Sequence, residues 1–343
     1  YYLQPDEIEY IINNCHAKVL VVAEKFADKI KPLLGKLSEV KVCYMVDGEQ
    51  QGFQSFEKAL SAQPTTPIAD ESEGREMLYS SGTTGRPKGI KFPLSEGGLG
   101  EAPDIVRSVG LAQFMGVNHD TVSLSTSPLY HSAPLGFATG CHRLGSTVVI
   151  MEKFDEEKAL QLIEKYKIAY SQWVPTMFVR LLKLPEAVRA KYDVSSMKFA
   201  IHGAAPCPVE VKQQIMAWWG PVLWEFYSGS ERNGIFMVSP QEWLAHPGTV
   251  GKCVDAQVHI VDDETGEELP AGEIGTIYCS KGAHFDYHGD EDKKQSITIR
   301  DGWTTIGDVG YLDADGYLFL TDRKSYMIIS GGVNIYPQET EDC

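Results

Sequence analysis

Between residues 121 and 220 the chain alternates short strand-like runs with amphipathic helical runs, and this alternation limits the fold more than any other feature. TVSLSTSP (121–128) and STVVIM (146–151) read as strands, and DEEKALQLIEKYK (155–167) reads as a helix capped by Asp155. The cycle repeats with strand IAYSQWVP (168–175), helix TMFVRLLKL (176–184), strand MKFAIHG (197–203) and helix PVEVKQQIMAWWG (208–220), which ends on glycine. Strands separated by helices predict a doubly wound, mostly parallel α/β sheet. Ligands of such sheets sit beyond the carboxyl ends of the strands, so the loops that follow strands are where chemistry belongs.

Upstream, residues 17–24 and 41–46 read as strands, 55–61 as a short helix, and EMLYS (76–80) as a further strand. Beyond residue 248 the texture changes. Short strands alternate with Gly, Pro and Asp turns, which predicts an antiparallel, barrel-like or sandwich-like subdomain. Two hairpin-like pieces, 303–324 and 326–337, close the chain.

A chain of 343 residues, 43% of them hydrophobic, can bury a substantial core in two or so domains. Its net charge of -16 argues against a nucleic-acid binder, so a polyphosphate ligand would need local donors and a metal ion. Seven cysteines without CxxC spacing fit a reduced intracellular protein better than a zinc site or a disulfide framework. With no bilayer-length apolar run and no signal peptide, the expected location is cytoplasmic, with no transmembrane segment; an oligomer is possible. The first residue is not Met, and YYLQPDEIEYIINN already reads as the start of a helix. PQETEDC ends as abruptly, so the chain reads as a piece of something longer.

YSSGTTGRPKG (79–89) follows a strand directly. Ser80, Ser81, Thr83 and Thr84 offer hydroxyl donors, and Gly82, Gly85 and Gly89 allow an anion-binding turn of backbone N–H groups. Lys88 adds a charge for terminal phosphates. A Walker loop is excluded: Arg86 and Pro87 separate Gly85 from Lys88, Gly89 stands in the Ser/Thr position, and no helix begins at the lysine. The plain alternative is a flexible surface loop.

This stretch resembles the signature loop of the adenylate-forming superfamily, which includes acyl-CoA synthetases, peptide-synthetase adenylation domains and beetle luciferases. SPLYHSAPLG (127–136), YSGSE (227–231), TTIGD (304–308) and DRKSYMIISGGVNIYPQE (322–339) are similar to four further blocks of that family, in its order. The resemblance implies an N-terminal domain of this superfamily. Nucleotide- and acyl-binding α/β subdomains would fill 1–247 and a β-rich subdomain 248–322. A hinge and the start of a largely absent C-terminal lid would follow over 323–343.

The implied activity joins a carboxylic acid, fatty or aryl, to ATP as an acyl-adenylate and then to coenzyme A as a thioester. Residues 81–88, with Ser80, would wrap the β- and γ-phosphates, with Lys88 as a point charge, and Glu231 would hold Mg2+. Tyr227, beside Phe226, would stack on adenine against Gly203, Ala204, Ala205 and Pro206. Ser228, Gly229 and Ser230 would line the phosphate side, Asp308 would take the ribose hydroxyls, and Arg323 would reach ribose and phosphate. His131, Trp173, Thr176 and Gly203 would border the acid, with His131 at its gate. Each has a structural alternative: a core aromatic for Phe226, Tyr227 or Trp173, a structural histidine, a turn aspartate, a surface charge.

Ser230 stands where the family usually has threonine, Asp322 where it has glycine before Arg323, and Ser325 where the hinge has Asp or Lys. The family's late P-x-x-x-x-G-K lysine does not occur before Cys343, so adenylation by this chain is expected to be very slow. Tyr130-His131-Ser132 offers no aspartate for a substrate amine, which disfavours a peptide-synthetase domain. A luciferase-like enzyme and a non-catalytic nucleotide-binding fragment remain as alternatives.

Overall fold

A computed structural model describes residues 3–80, 87–94, 97–101, 103–300, 302–323, 328–330 and 333–335. Its centre is a seven-stranded sheet in the order Lys252–Cys253, Phe236–Val238, Leu223–Tyr227, Phe199–His202, Tyr170–Trp173, Val122–Ser125, Thr147–Ile150. The five strands from Leu223–Tyr227 to Thr147–Ile150 run parallel, and Phe236–Val238 pairs antiparallel both with Leu223–Tyr227 and with Lys252–Cys253. Tyr170–Trp173 and Phe199–His202 are buried at every position. Central parallel strands covered on both faces require this, which is why their sequences show no simple polar alternation.

Period-two geometry sends successive side chains of one strand into two different cores. Trp173 joins Phe178, Leu181, Ile215 and Trp219 under helices Glu156–Tyr166, Pro175–Lys183 and Val209–Trp219. Tyr170, Phe199 and Ile201 pack on the opposite face with Ala112, Met115 and Cys141, from or next to helices Pro103–Phe114 and Ser132–Arg143. The expected doubly wound layering is therefore present.

The N-terminal strands Val19–Ala23 and Val42–Val46 pair in parallel, joined by the two-residue strand Gln54–Ser55. Downstream, an antiparallel sheet runs Thr298–Ile299, Trp303–Thr304, Gly275–Ser280, Asp308–Leu312, Leu318–Arg323, with Gln257–Val261 also on Gly275–Ser280. Among the described residues its outer strands do not meet, so the β-rich part is an open sheet rather than a closed barrel. Ile328–Ser330 and Val333–Ile335 form the last hairpin. The six described cysteines are free. Among the described residues no helix is long and apolar enough to cross a membrane.

Two backbone hydrogen bonds join the halves: Val250 N–H donates to the Leu318 carbonyl at 2.9 Å, and Leu318 N–H to the Gly251 carbonyl at 2.9 Å. The antiparallel sheet is thereby held against the end of the central one, where the candidate site lies.

Candidate nucleotide and acid site

Residues 81–86 are bracketed by strands Leu78–Ser80 and Lys88–Lys91, which pair antiparallel with Ser80 opposite Lys88. A strand, not a helix, begins at Lys88, in keeping with the exclusion of a Walker loop. Ser81, Gly82, Thr83, Thr84 and Gly85 themselves lie outside the described residues. Gly89 has a packing reason to be glycine: a Cβ there would meet Tyr79, His288 and Met77 atoms at 3.2–3.3 Å.

Lys88 is mostly buried, with its side chain 13% exposed, and its ammonium donates to the Asp290 carboxylate. That hydrogen bond, first among the causes, holds the Asp290 pKa below the ordinary carboxylate value. Asp290 belongs to a segment whose strand Asp286–Tyr287 pairs with Lys88–Lys91 on the side away from Leu78–Ser80.

Strand Leu223–Tyr227 delivers Phe226 and Tyr227 and then the turn carrying Ser228, Gly229, Ser230 and Glu231. The turn is stitched internally, since Ser228 donates its hydroxyl to the Gly234 carbonyl at 2.8 Å. Arg232, in the left-handed region at φ 51°, reaches the Glu76 carboxylate at 2.7 Å. Glu231 is half-buried, and its Oε1 accepts from the Tyr287 hydroxyl at 2.8 Å. Its Oε2 lies 2.9 Å from where a Cβ at Gly229 would sit, so a larger residue at 229 would displace the carboxylate.

Tyr227 and Asp308, far apart in sequence, meet here: the phenol donates to Asp308 Oδ2 at 2.5 Å. Asp308 is 2% exposed and faces Arg323 in the strand register. The Arg323 side chain lies outside the described part. Gly203, Ala204, Ala205 and Pro206 follow strand Phe199–His202, the parallel neighbour of the Tyr227 strand. Ala204 has φ 70°, a left-handed conformation that L-residues other than Asn and Asp seldom adopt. A Cβ at Gly203 would lie 2.6 Å from both the ring and the carbonyl oxygen of Phe226. The space beside Gly203 is thus taken by Phe226, which alone is enough to require glycine there.

Beneath this wall lies a feature that no sequence motif announced. Lys212, fully buried in helix Val209–Trp219, donates to Glu225 Oε2 at 2.6 Å, and His202 Nε2 lies 3.5 Å from the same oxygen. Burial works against charge on both members of the pair, lowering the lysine pKa and raising the glutamate pKa. Burial also pushes His202 well below the ordinary histidine value, with the Lys212 charge as a second cause. The only sequence signal was a lysine on the apolar face of that helix.

Of the residues expected to border an acid, His131 is the N-cap residue of helix Ser132–Arg143, with its ring 4.4 Å from that of Tyr130. Thr176 is half-buried in the first turn of Pro175–Lys183. Trp173 is a correction. It has no exposed surface, donates its indole N–H to Ser171 Oγ at 2.7 Å, and packs 5.1 Å from Trp219, so it is core rather than pocket wall. A small cavity lies on the other face of the sheet, where Pro134, Phe137, Tyr170 and Gln172 line it. Alternation along IAYSQWVP could have separated Tyr170 and Gln172 from Ser171 and Trp173.

The parallel sheet with Tyr227, Glu231 and Gly203 at or past its strand ends has the layout of an open α/β protein that binds its ligand at the carboxyl ends of its strands. The family described as AMP-binding enzyme matches residues 2–285, and the chain belongs to that family. It is 30% identical over 345 residues to 4-coumarate--CoA ligase 1 of Petroselinum crispum, covering 95% of this chain and 60% of that protein. Among solved structures it is similar to an amide bond synthetase, McbA, from Marinactinospora thermotolerans. That match has a TM-score of 0.83 and 25% identity, over 99% of this chain and 67% of the other. ATP-bound MatB from Rhodopseudomonas palustris matches with a TM-score of 0.76 and 26% identity, over 99% of this chain and 66% of that one. The chain spans about 60% of the length of the first curated relatives it matches.

Proposed function

We propose that this chain carries the ATP- and acid-binding part of an acid–CoA ligase, which activates a fatty or aryl carboxylic acid as its adenylate and passes the acyl group to the thiol of coenzyme A. The observation that carries this reading is the meeting of Tyr227 with Asp308 in the same end of the molecule as Glu231 and Lys88. An aromatic ring and a buried acceptor-only carboxylate suit a nucleoside, while an ammonium suits phosphates. Residues 80–88 would receive the β- and γ-phosphates, and Asp308 the ribose. His131 and Thr176 would border the acid.

Glu231 has the donor chemistry for Mg2+. It is a hard carboxylate, half-buried, held by one tyrosine hydroxyl and with a second oxygen on the turn, and Mg2+ characteristically takes one or two carboxylates plus substrate phosphates. When bound, such an ion would neutralise phosphate charge as pyrophosphate departs. Tyr287 orients the carboxylate that would hold it.

Binding of ATP by this chain, measured by calorimetry with and without Mg2+, tests the reading. Micromolar to millimolar affinity that strengthens with Mg2+ is expected. Glu231→Ala is expected to lose most of the Mg2+ dependence while AMP binding stays within about twofold, because a metal ligand acts through the phosphates. Equal Mg2+ dependence in parent and variant would remove the Glu231 assignment. Pyrophosphate release over a panel of fatty and aryl acids then tests the ligase chemistry. Release by a chain of the relatives' length that is independent of every acid would refute it.

A further inference from the structure

We propose that Asp290 is a positioning residue for the polyphosphate site, holding the Lys88 ammonium in place before nucleotide arrives. The inference rests on the nucleotide reading above and deepens it, because no motif of the sequence singled out residues 286–293.

Three observations carry it. Strand Asp286–Tyr287 is zipped to the strand leaving the phosphate loop, with Tyr287 opposite Ile90 and Asp286 opposite Lys91. His288 N–H extends the pairing by donating to the Gly89 carbonyl at 2.8 Å, and the His288 ring reaches the Asn14 carbonyl at 2.8 Å. Asp290 is therefore placed by backbone rather than by its own side chain.

Its carboxylate is also fixed at both oxygens. Oδ1 accepts from Lys293 N–H at 3.0 Å as the N-cap of helix Glu291–Ser296, and Oδ2 accepts from Lys88. A lysine otherwise samples many rotamers, and most of that freedom must be lost when it meets a phosphate. Here it is already restricted. The third observation is that the same segment supplies the Tyr287 hydroxyl to Glu231 at 2.8 Å. One short stretch thus orients both groups assigned to the phosphates, the cation through a carboxylate and the carboxylate through a phenol.

Asp290→Asn separates the roles of this residue. Asparagine caps a helix about as well as aspartate, so the helix start survives, but with its one oxygen on the Lys293 N–H its uncharged amide turns an NH2 donor, not an acceptor, toward Lys88. ATP and AMP binding would be measured by calorimetry on this chain, in Lys88 and in Lys88→Met backgrounds. The expected result is about tenfold weaker ATP binding for Asp290→Asn, AMP binding changed by less than about twofold, and no further ATP loss when the change is added to Lys88→Met.

Unchanged or tighter ATP binding would overturn the proposal, since Asp290 would then be indifferent or a competitor for Lys88. Equal losses for ATP and AMP would overturn it as well, by showing a general structural effect. Full additivity with Lys88→Met would show that Asp290 does not act through Lys88. Failure of the parent chain to bind either nucleotide would instead defeat the nucleotide reading, and the inference with it.

Discussion

Lys212→Met alone is expected to destabilise this chain by about 3–5 kcal/mol, the range for breaking a buried ion pair by removing one partner. The substitution leaves the Glu225 carboxylate 5% exposed, with His202 Nε2 at 3.5 Å as its remaining polar neighbour of the cluster. Methionine approximates the lysine stem, so lost packing contributes little and the unpaired charge dominates. Glu225 can escape only by keeping a proton. Burial already raises its pKa from 4.5, and loss of the lysine removes the causes that lower it. The folded chain then holds a proton that the unfolded chain releases. Stability of the variant falls as pH rises above about 4.5, and the deficit is larger at pH 8 than at pH 5.

Urea unfolding followed by fluorescence of the six tryptophans reads this, and one of them, Trp243, has its ring 4.6 Å from Lys212 Nζ. Lys212→Met with Glu225→Leu removes both charges, and is expected to recover most of the loss. A single variant as stable as the parent at pH 8, or a double variant no better than the single, would show that the unpaired Glu225 charge is not what destabilises the fold. The pair also has a bearing on function. Glu225 immediately precedes Phe226 and Tyr227, and His202 immediately precedes Gly203, so the cluster ties together the two strands that carry the residues proposed to face adenine.

The layered α/β core was legible because strand and helix periods recur in register from 121 to 220, and the structure places those elements within a few residues of their predicted bounds. Helices Pro103–Phe114 and Ser132–Arg143 were not legible as helices. Gly110, Pro134, Gly136 and Gly140 dilute their patterns, and tertiary packing rather than propensity settles them. Candidate site residues stand out in the sequence where a motif is contiguous, as at 79–89 and 227–231. Long-range pairings do not: Lys88 with Asp290, Glu231 with Tyr287, and Lys212 with Glu225 leave no local pattern. Trp173 shows the converse. A motif-adjacent tryptophan suggests a pocket wall, but period two turns it into the core under Trp219.

Gly251→Ala is expected to cost more than about 4 kcal/mol, beyond most single substitutions, and to abolish nucleotide binding where the protein can still be isolated. Gly251 has φ 102°, and an added Cβ would fall 2.0 Å from the Met237 carbonyl oxygen and 2.8 Å from Val238 N. These are backbone atoms of strand Phe236–Val238, so no side chain can swing away, and the positive φ adds strain of its own. Relief requires Gly251, with the Leu318 strand hydrogen-bonded to it, to move away from strand Phe236–Val238. Leu318 pairs with Leu312 in the hairpin whose other end places Asp308 opposite Arg323. Such a shift is expected to displace Asp308 relative to Tyr227, which stands on the strand paired with Phe236–Val238, and to weaken the 2.5 Å hydrogen bond between them. Gly316→Ala is the control for φ alone: it too has positive φ, at 81°, but nothing lies within 4 Å of its Cβ. Its expected cost is about 1–2 kcal/mol, with binding retained. Unfolding midpoints and ATP calorimetry on the two variants decide between the explanations. If Gly316→Ala proved as damaging as Gly251→Ala, backbone conformation rather than the Met237 clash would be the cause, and the approach of Gly251 to strand Phe236–Val238 would lose its assigned part in positioning Asp308.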